Sequence, residues 1–328
     1  MLFHGFYILS TEPLIVSYMA SSSFYNGLAN EVQKPGQEIP NFSFPNWFRP
    51  KYILEHIGGW SLPWYRMGRL KAKQIMHRLS GRSQHLIVNA HDEEVTRKRY
   101  LIRGAHFSGS IYINEHLYNI VDEPKIYDAI YTAQLMPFKR HELAKEIEKL
   151  MIISYGGDLH AFCPELKHAD FNHDFLPRQE LVRKYNQSYT GLCLSAVEGA
   201  MFASCEYLLC GIPVVSTPSK GGRDEFFTKE NCIIVPPEPE AVALAVEQWK
   251  KQAPDPQQIR EQTLKQFYHL RRDYCLYIAK LIEQGGGSRQ DPEKLMEIYF
   301  GTPNGTMSRF VKLGELQKVN FNEFHLDY

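Results

Sequence analysis

Short apolar runs alternate with longer amphipathic stretches along most of the chain. The runs KYILEH (51–56), HLIVN (85–89), SIYIN (110–114), AIYT (129–132), 150–154 and GLCLS (191–195) have the length and β-branched content of buried strands, and Val214–Val215 reads as another. Helical patterns separate them. HDEEVTRKRYLI (91–102) carries acids first and bases later, matching the helix dipole, with Gly104 as its expected C-cap. LMPFKRHELAKEIEKL (135–150) reads as a loop and a helix, and RQELVRKYNQ (178–187) and 241–249 as helices. A longer helix over 257–282 sets Leu264, Phe267, Leu270, Tyr274 and Ile278 on one face. Strand–helix alternation of this kind predicts an α/β protein. We find no internal repeat.

The first 50 residues are harder to read. FYILS (6–10) and LIVSYMA (14–20) fit strands, and SSSFYNGLANEV (21–32) fits a capped helix. Pro40, Pro45 and Pro50 exclude regular structure through IPNFSFPNWFRP (39–50). This aromatic loop is either packed on its own rings or faces a sugar or a lipid, since aromatic faces suit both. The pattern divides the chain into a short first domain, 1–122, a second, 123–285, and a helix and tail, 286–328, after the flexible GGGS at 285–288.

A length of 328 residues favours two domains, and 44% hydrophobic with 23% charged residues is ordinary for a globular chain. Lys+Arg and Asp+Glu both number 37, so net charge makes no case for nucleic acid. The six cysteines form no CxxC pair and read as reduced thiols of a cytoplasmic protein. Residues 1–20 lack a basic start and contain Glu12, so no signal peptide is expected. No apolar run approaches the ~20 residues that span a bilayer. The basic segment RMGRLKAKQIMHRLSGR (66–82) follows Trp60, Trp64 and Tyr65. It reads either as a solvated helix face or as a peripheral contact with the inner membrane surface.

The candidate chemistry lies in SAVEGAMFASCEYLLCGIPVVSTPSKGG (195–222). Glu198 follows a strand and precedes a predicted helix over 199–209, with Gly211 at its C-terminus and Pro213 beyond. Ligands of open α/β sheets bind at such strand ends, and the N–H groups of the helix start attract phosphate. Glu206, two turns on, is expected on roughly the same helical face. Lys139 in a strand-to-helix loop suits phosphate, and Tyr155-Gly156-Gly157 lets backbone approach a ligand. His160, Cys163, His168, Asp170, His173 and Asp174 match no tight ligand spacing, so no metal is expected.

At S-x-x-E-G, the seven residues between the glutamates, C-G-I-P-V-V and the later G-G, the chain resembles the donor-site signature of retaining GT-B glycosyltransferases of family four (glycosyl transferases group 1). The likeness continues through ENCIIVPPEPEAVALAVEQW (230–249) and reaches back, more weakly, to about Tyr127. It implies a GT-B fold, two Rossmann-like domains facing each other across a cleft, with either the 257–282 or the 293–300 helix packing back on the first domain, and transfer of a sugar from a nucleotide-sugar donor with retention. The implied acceptor is a polysaccharide, lipid-linked or small molecule. It implies that Glu198 binds sugar hydroxyls with amides near Gly199, Ala200 and Met201, that Glu206 binds the ribose, and that Lys139 neutralises the diphosphate with no obligatory metal or cofactor. Leu176 and the first turn after it lie at the segment that resembles the nucleobase contact. His56, at a strand end, takes the place of a first-domain histidine. Two departures stand out. Gln134 replaces the arginine that partners the lysine, with Arg140, Arg223 or Lys220 as substitutes, and Met201 replaces a glycine. They motivate the alternative of a catalytically inactive binding or scaffold protein. A nucleotide-dependent dehydrogenase is disfavoured, since no G-x-G-x-x-G follows an early strand.

Overall fold

The computed structural model describes residues 5–20, 47–57, 67–154, 157–172, 174–302 and 309–326. The chain forms two compact units, one of residues 1–112 with 269–328, the other of residues 113–268. The sequence pattern places its boundaries near Asp122 and Gly285, whereas these units divide after Tyr112 and after Tyr268. The second division falls inside a continuous helix, Pro256–Gln284.

The first unit is built on β1 (Gly5–Thr11), β2 (Leu14–Ala20), β3 (Tyr52–Ile57), α1 (Met67–Leu79), β4 (Ser83–Val88), α2 (His91–Arg99) and β5 (Gly104–His106). The second begins its sheet with β6 (Tyr127–Thr132), β7 (Leu150–Ile153), α3 (Leu159–Phe162), β8 (Asp170–Phe171), α4 (Arg178–Asn186) and β9 (Ser188–Cys193). It continues with α5 (Phe202–Leu209), β10 (Val214–Ser216), β11 (Cys232–Ile234), α6 (Pro239–Gln252) and the first part of α7 (Pro256–Gln284). The rest of α7, α8 (Pro292–Phe300) and β12 (Phe310–Lys312) belong to the first unit.

The first sheet has the order β12-β1-β2-β3-β4-β5. β1 pairs antiparallel with β12 and β2, and β2 to β5 run parallel. Neighbouring residues on a strand point to opposite faces, and both faces are apolar. Ile8, Val16, Ile53 and Leu86 join Met67 and Leu70 of α1 in one core. Leu9, Ile15, Leu54 and Ile87 join Tyr274, Ile278, Leu295 and Tyr299 of α7 and α8 in the other.

The second sheet is wholly parallel, in the order β11-β10-β9-β6-β7-β8. From β6 the chain adds strands in one direction, returns, and adds β9 to β11 in the other. The switch point therefore lies between β6 and β9, and the loops leaving their carboxyl ends are where such sheets bind ligands. Ala129, Ile130, Tyr131, Leu192 and Val214 are fully buried, as expected of a parallel sheet covered on both faces.

Several local expectations are revised. SIYIN is not a strand: Gly109–Tyr112 is a 3₁₀ turn, and β5 begins instead at Gly104. The amide of Gly109 donates to Asn89 Oδ1, which bends the chain off the sheet edge. Gly104 is not a helix cap, because α2 ends at Arg99 with Tyr100 as its C-cap. A Cβ at Gly104, where φ is +154°, would meet Leu86 O at 1.8 Å. The segment 135–150 holds two 3₁₀ turns, Pro137–Lys139 and His141–Ala144, rather than an α-helix. Arg140 between them has a left-handed backbone, φ 53°, which no continuing α-helix accepts. SSSFYNGLANEV, most of the aromatic loop, Trp60, Trp64 and Tyr65 lie outside the described residues.

Candidate functional site

Three loops converge at the switch point of the second sheet. The loop after β6 carries Lys139, the loop after β9 carries Glu198, and the loop after β10 carries Gly221. Backbone hydrogen bonds tie them together. The amide of Ala196 donates to Phe138 O at 3.0 Å, that of Glu198 to Lys220 O at 2.8 Å, and that of Lys220 to Ala196 O at 3.1 Å. Val197 and Lys220 thus form an isolated parallel bridge. Gly221, at φ +116°, passes so near that a Cβ would stand 1.8 Å from Glu198 O. The later G-G of the motif is needed at this first glycine because backbone lies on backbone.

Lys139 is buried, and its ammonium is ion-paired with Glu198 Oε1. Ser195 Oγ donates to Glu198 Oε2 at 2.5 Å, so both carboxylate oxygens are engaged. Tyr131, fully buried on β6, donates to Lys139 O at 2.7 Å and fixes the turn that presents the lysine. A buried cation and a half-buried anion are thus paired at strand-end loops. An incoming anion at this site would compete with Glu198 for Lys139.

Glu206 is on α5, which starts at Phe202, three residues beyond Gly199. Glu198 therefore sits in the preceding loop and does not share a helical face with Glu206; its backbone bond to Lys220 holds it on the neighbouring loop instead. Tyr185 Oη donates to Glu206 Oε2 at 2.8 Å. Burial raises the Glu206 carboxyl above its ordinary value, against the hydrogen bonds of Tyr185 and Tyr118 and the charge of Arg178. The helix is anchored to the sheet by Tyr207, whose hydroxyl accepts from the amide of Thr132 at 2.7 Å. The ring of Tyr207 lies where a Cβ of residue 191 would stand, at 2.3 Å, so only glycine fits on β9 there.

The remaining donor-side candidates lie around this centre. Gly199 is buried and Ala200 half-buried. Met201, buried at the start of α5, accepts at its carbonyl from Ser204 Oγ. Leu176 is half-buried in the loop before α4. Gly156 lies outside the described residues. Gln134 is exposed, and two of its suggested substitutes are committed elsewhere. Arg223 is 1% exposed and donates to Ser195 O, Ser216 Oγ and Thr217 O at 2.7, 2.7 and 2.5 Å, beneath the loops. Arg140 donates to Leu194 O at 2.6 Å and Thr217 Oγ1 at 2.7 Å. Both are staples of the site rather than open cations; Lys220 is exposed.

His56 belongs to the first unit, near the end of β3. Its Nε2 is 3.3 Å from Tyr112 Oη and 3.4 Å from Tyr274 Oη, and Tyr112 donates to Tyr274 at 2.6 Å. Its Nδ1 is buried without a hydrogen-bond partner among the described residues. Burial lowers its pKa to about 3, so the ring is neutral. Among the described residues no cluster of His, Cys, Asp and Glu could hold a metal ion, and all six cysteines are free and buried.

Sequence reasoning passes over Tyr131, Tyr185 and Tyr207. They are single aromatics inside apolar runs or helical patterns, and only the fold shows that each hydroxyl secures a loop or a carboxylate. Ser195 is the first residue of the motif, and its bond to Glu198 gives that position a physical reason.

Residues 165–266 match the family model described as glycosyl transferases group 1. No curated protein matches the chain. Among solved structures, the chain is similar to Anabaena Alr3699/HepE in complex with UDP, with 13% identity and a TM-score of 0.53 over 70% of this chain and 72% of that one. It is also similar to sucrose-phosphate synthase from Thermosynechococcus elongatus, with 15% identity and a TM-score of 0.51 over 72% and 68%. A glycosyltransferase from Rickettsia africae gives 13% identity and a TM-score of 0.52 over 72% of each chain. At such identities the likeness is one of fold. The class is GT-B, two Rossmann-like α/β units.

Proposed function

We propose that the chain is a retaining glycosyltransferase that moves a sugar from a nucleotide-sugar donor to a glycan, lipid-linked or small-molecule acceptor. The observation that carries this reading is the convergence of Lys139, Ser195 and Glu198 on mutually hydrogen-bonded loops at the switch point. The match over 165–266 covers Glu198 and Glu206, and one similar structure holds UDP.

The chemistry follows from the charges. As the glycosidic bond breaks, negative charge grows on the departing diphosphate, and a fixed cation aimed at it lowers the barrier. Lys139 would leave Glu198 for that diphosphate, helped by the amides that open α5. No metal is required for this neutralisation. Glu198, released from the lysine but still held by Ser195, would bind sugar hydroxyls, and Glu206 would accept from the ribose. The acceptor hydroxyl would attack from the face the diphosphate leaves, forming its bond to the anomeric carbon as the bond to the diphosphate breaks and giving its proton to the departing diphosphate oxygen, which retains the anomeric configuration. His56, the first-unit candidate, is neutral and would bring no charge to the reaction.

The test is turnover of the nucleotide sugar whose nucleoside diphosphate binds best by ligand-observed NMR, with the anomeric configuration of the product read from its proton couplings. Lys139→Ala with Glu198→Ala should abolish transfer. Transfer at the parent rate in that double variant would remove the reading, and an inverted product would remove retention.

A second reading, a nucleotide-binding protein without catalysis, is favoured by the exposed Gln134 and by the commitment of Arg140 and Arg223 to other loops. Binding of the nucleotide without turnover of any conjugate would select it.

A further inference from the structure

Helix α1 has two apolar faces, and among the described residues only one of them packs on a core. Met67 and Leu70 are buried against the first sheet. On the other side Gly68, Ala72, Ile75, Met76 and Leu79 are all exposed. Their spacing places them within an arc of about 100° at 3.6 residues per turn. Met76 is 67% exposed and Leu79 79%. A helix packed on a core by one stripe normally turns charge to solvent on the opposite one. Here the charged residues sit on the flanks, with Arg69 on one side and Lys71 and Arg78 on the other.

The turn after α2 extends this face. Lys71 donates to Leu101 O, which joins the turn to α1. Leu101 is 76% exposed with φ 53°, a left-handed backbone that glycine adopts without cost and leucine does not. Between the two helices lies a cavity of about 600 Å³ lined by Lys71, Arg78, Arg82, Lys98 and Arg103 among others, with no acidic residue in its wall among the described residues.

We propose that this face of the first unit, the stripe of α1 with Leu101 and the cations around it, docks on an anionic lipid bilayer. The cations would sit at headgroup phosphates while Met76, Leu79, Ile75 and Leu101 enter the acyl boundary. A soluble polyanion would use the cations and leave the apolar stripe without a purpose, which is why a bilayer is the better occupant. The inference concerns a surface of the first unit and does not rest on the donor-site reading.

The test is co-sedimentation of the full chain with vesicles of phosphatidylcholine alone and of phosphatidylcholine with phosphatidylglycerol at about 3:1, where anionic lipid supplies the attraction. Binding is expected only to the anionic vesicles, and it should weaken as salt screens the cations. Arg69→Gln with Arg78→Gln should lower it about fivefold for each cation removed. Met76→Ser with Leu79→Ser should lower it by more than about tenfold through lost apolar burial, with the melting temperature unchanged because both side chains are exposed. Leu101→Gly should weaken it without lowering the melting temperature, a combination that damage to the fold cannot give.

Absence of binding to the anionic vesicles overturns the proposal. So does retention of full binding by Met76→Ser with Leu79→Ser, with polyphosphate competing equally against both proteins, since the face would then be a polyanion site. Self-association of the parent that this double variant abolishes, without vesicle binding, would assign the stripe to a second copy of the chain and overturn it as well.

Discussion

Glu206 shows how one side chain ties stability to binding. Its carboxyl is raised by burial, so the folded chain holds that proton more tightly than the unfolded one. The sign follows from linkage. As pH rises from the ordinary carboxylate range through the raised value, the folded state must ionise a buried group, and stability falls by that contribution. Below the ordinary range the penalty is absent. Glu206→Gln keeps the shape and removes the charge. It should therefore be more stable than the parent at neutral pH, and the difference should vanish at acidic pH. In nucleotide binding the direction reverses, because a charged acceptor for ribose hydroxyls is worth ~1.5–3 kcal/mol, tenfold to hundredfold in affinity. Thermal melts across pH and calorimetric titration with the nucleoside diphosphate check both halves. A variant that is less stable at neutral pH, or that binds the nucleotide unchanged, would separate Glu206 from ribose recognition.

At the scale of elements, the loops matter more than the strands and helices they join. Gly221 is where two of them touch. Gly221→Ala would place a methyl 1.8 Å from Glu198 O, on a backbone with φ +116°. The loop would have to move away, breaking the Val197–Lys220 bridge that orients Glu198. The expected cost is about 3 kcal/mol or more in stability, with activity lost beyond what the melting temperature explains. Gly222→Ala is the control, and equal damage from both would mean that the contact with Glu198 O is not what the glycine is for. This contact also marks the limit of what the sequence alone makes legible. The strands at 51–56, 85–89, 129–132 and 150–154 and the helix over 257–282 follow from apolar period, because burial on a sheet imposes it. The pairing of Glu198 with Lys139, 59 residues apart, does not, because no local period encodes which loops meet. The motif suggests that grouping by resemblance, and the switch-point topology supplies its physical reason. The helix expected in the later part of 135–150 does not form, for a related cause. Arg140 leaves the helical region to reach Leu194 O and Thr217 Oγ1, a tertiary demand invisible in a sequence of good helix formers.

Across the whole molecule, each unit has its own sheet and its own buried apolar residues, while α7 runs through both. The proposed donor residues Lys139, Glu198 and Glu206 all belong to residues 113–268, and the exposed apolar stripe of α1 belongs to the other unit. Ligands should therefore act on different parts of the unfolding profile. A nucleoside diphosphate that binds only the folded second unit stabilises it by RT ln(1 + [L]/Kd), about 2.7 kcal/mol at a hundredfold excess over Kd. Calorimetry should resolve two transitions and show the nucleotide moving one of them upward by several degrees while the other stays in place. Hydrogen exchange should assign the shifted transition, with protection growing in β6, β9 and α5 and not in β1 to β5. Lys139→Ala should abolish the shift without displacing the unshifted transition. One common transition that moves as a whole would mean that α7 couples the units into a single cooperative block. The division of labour between the units would then hold for chemistry but not for stability.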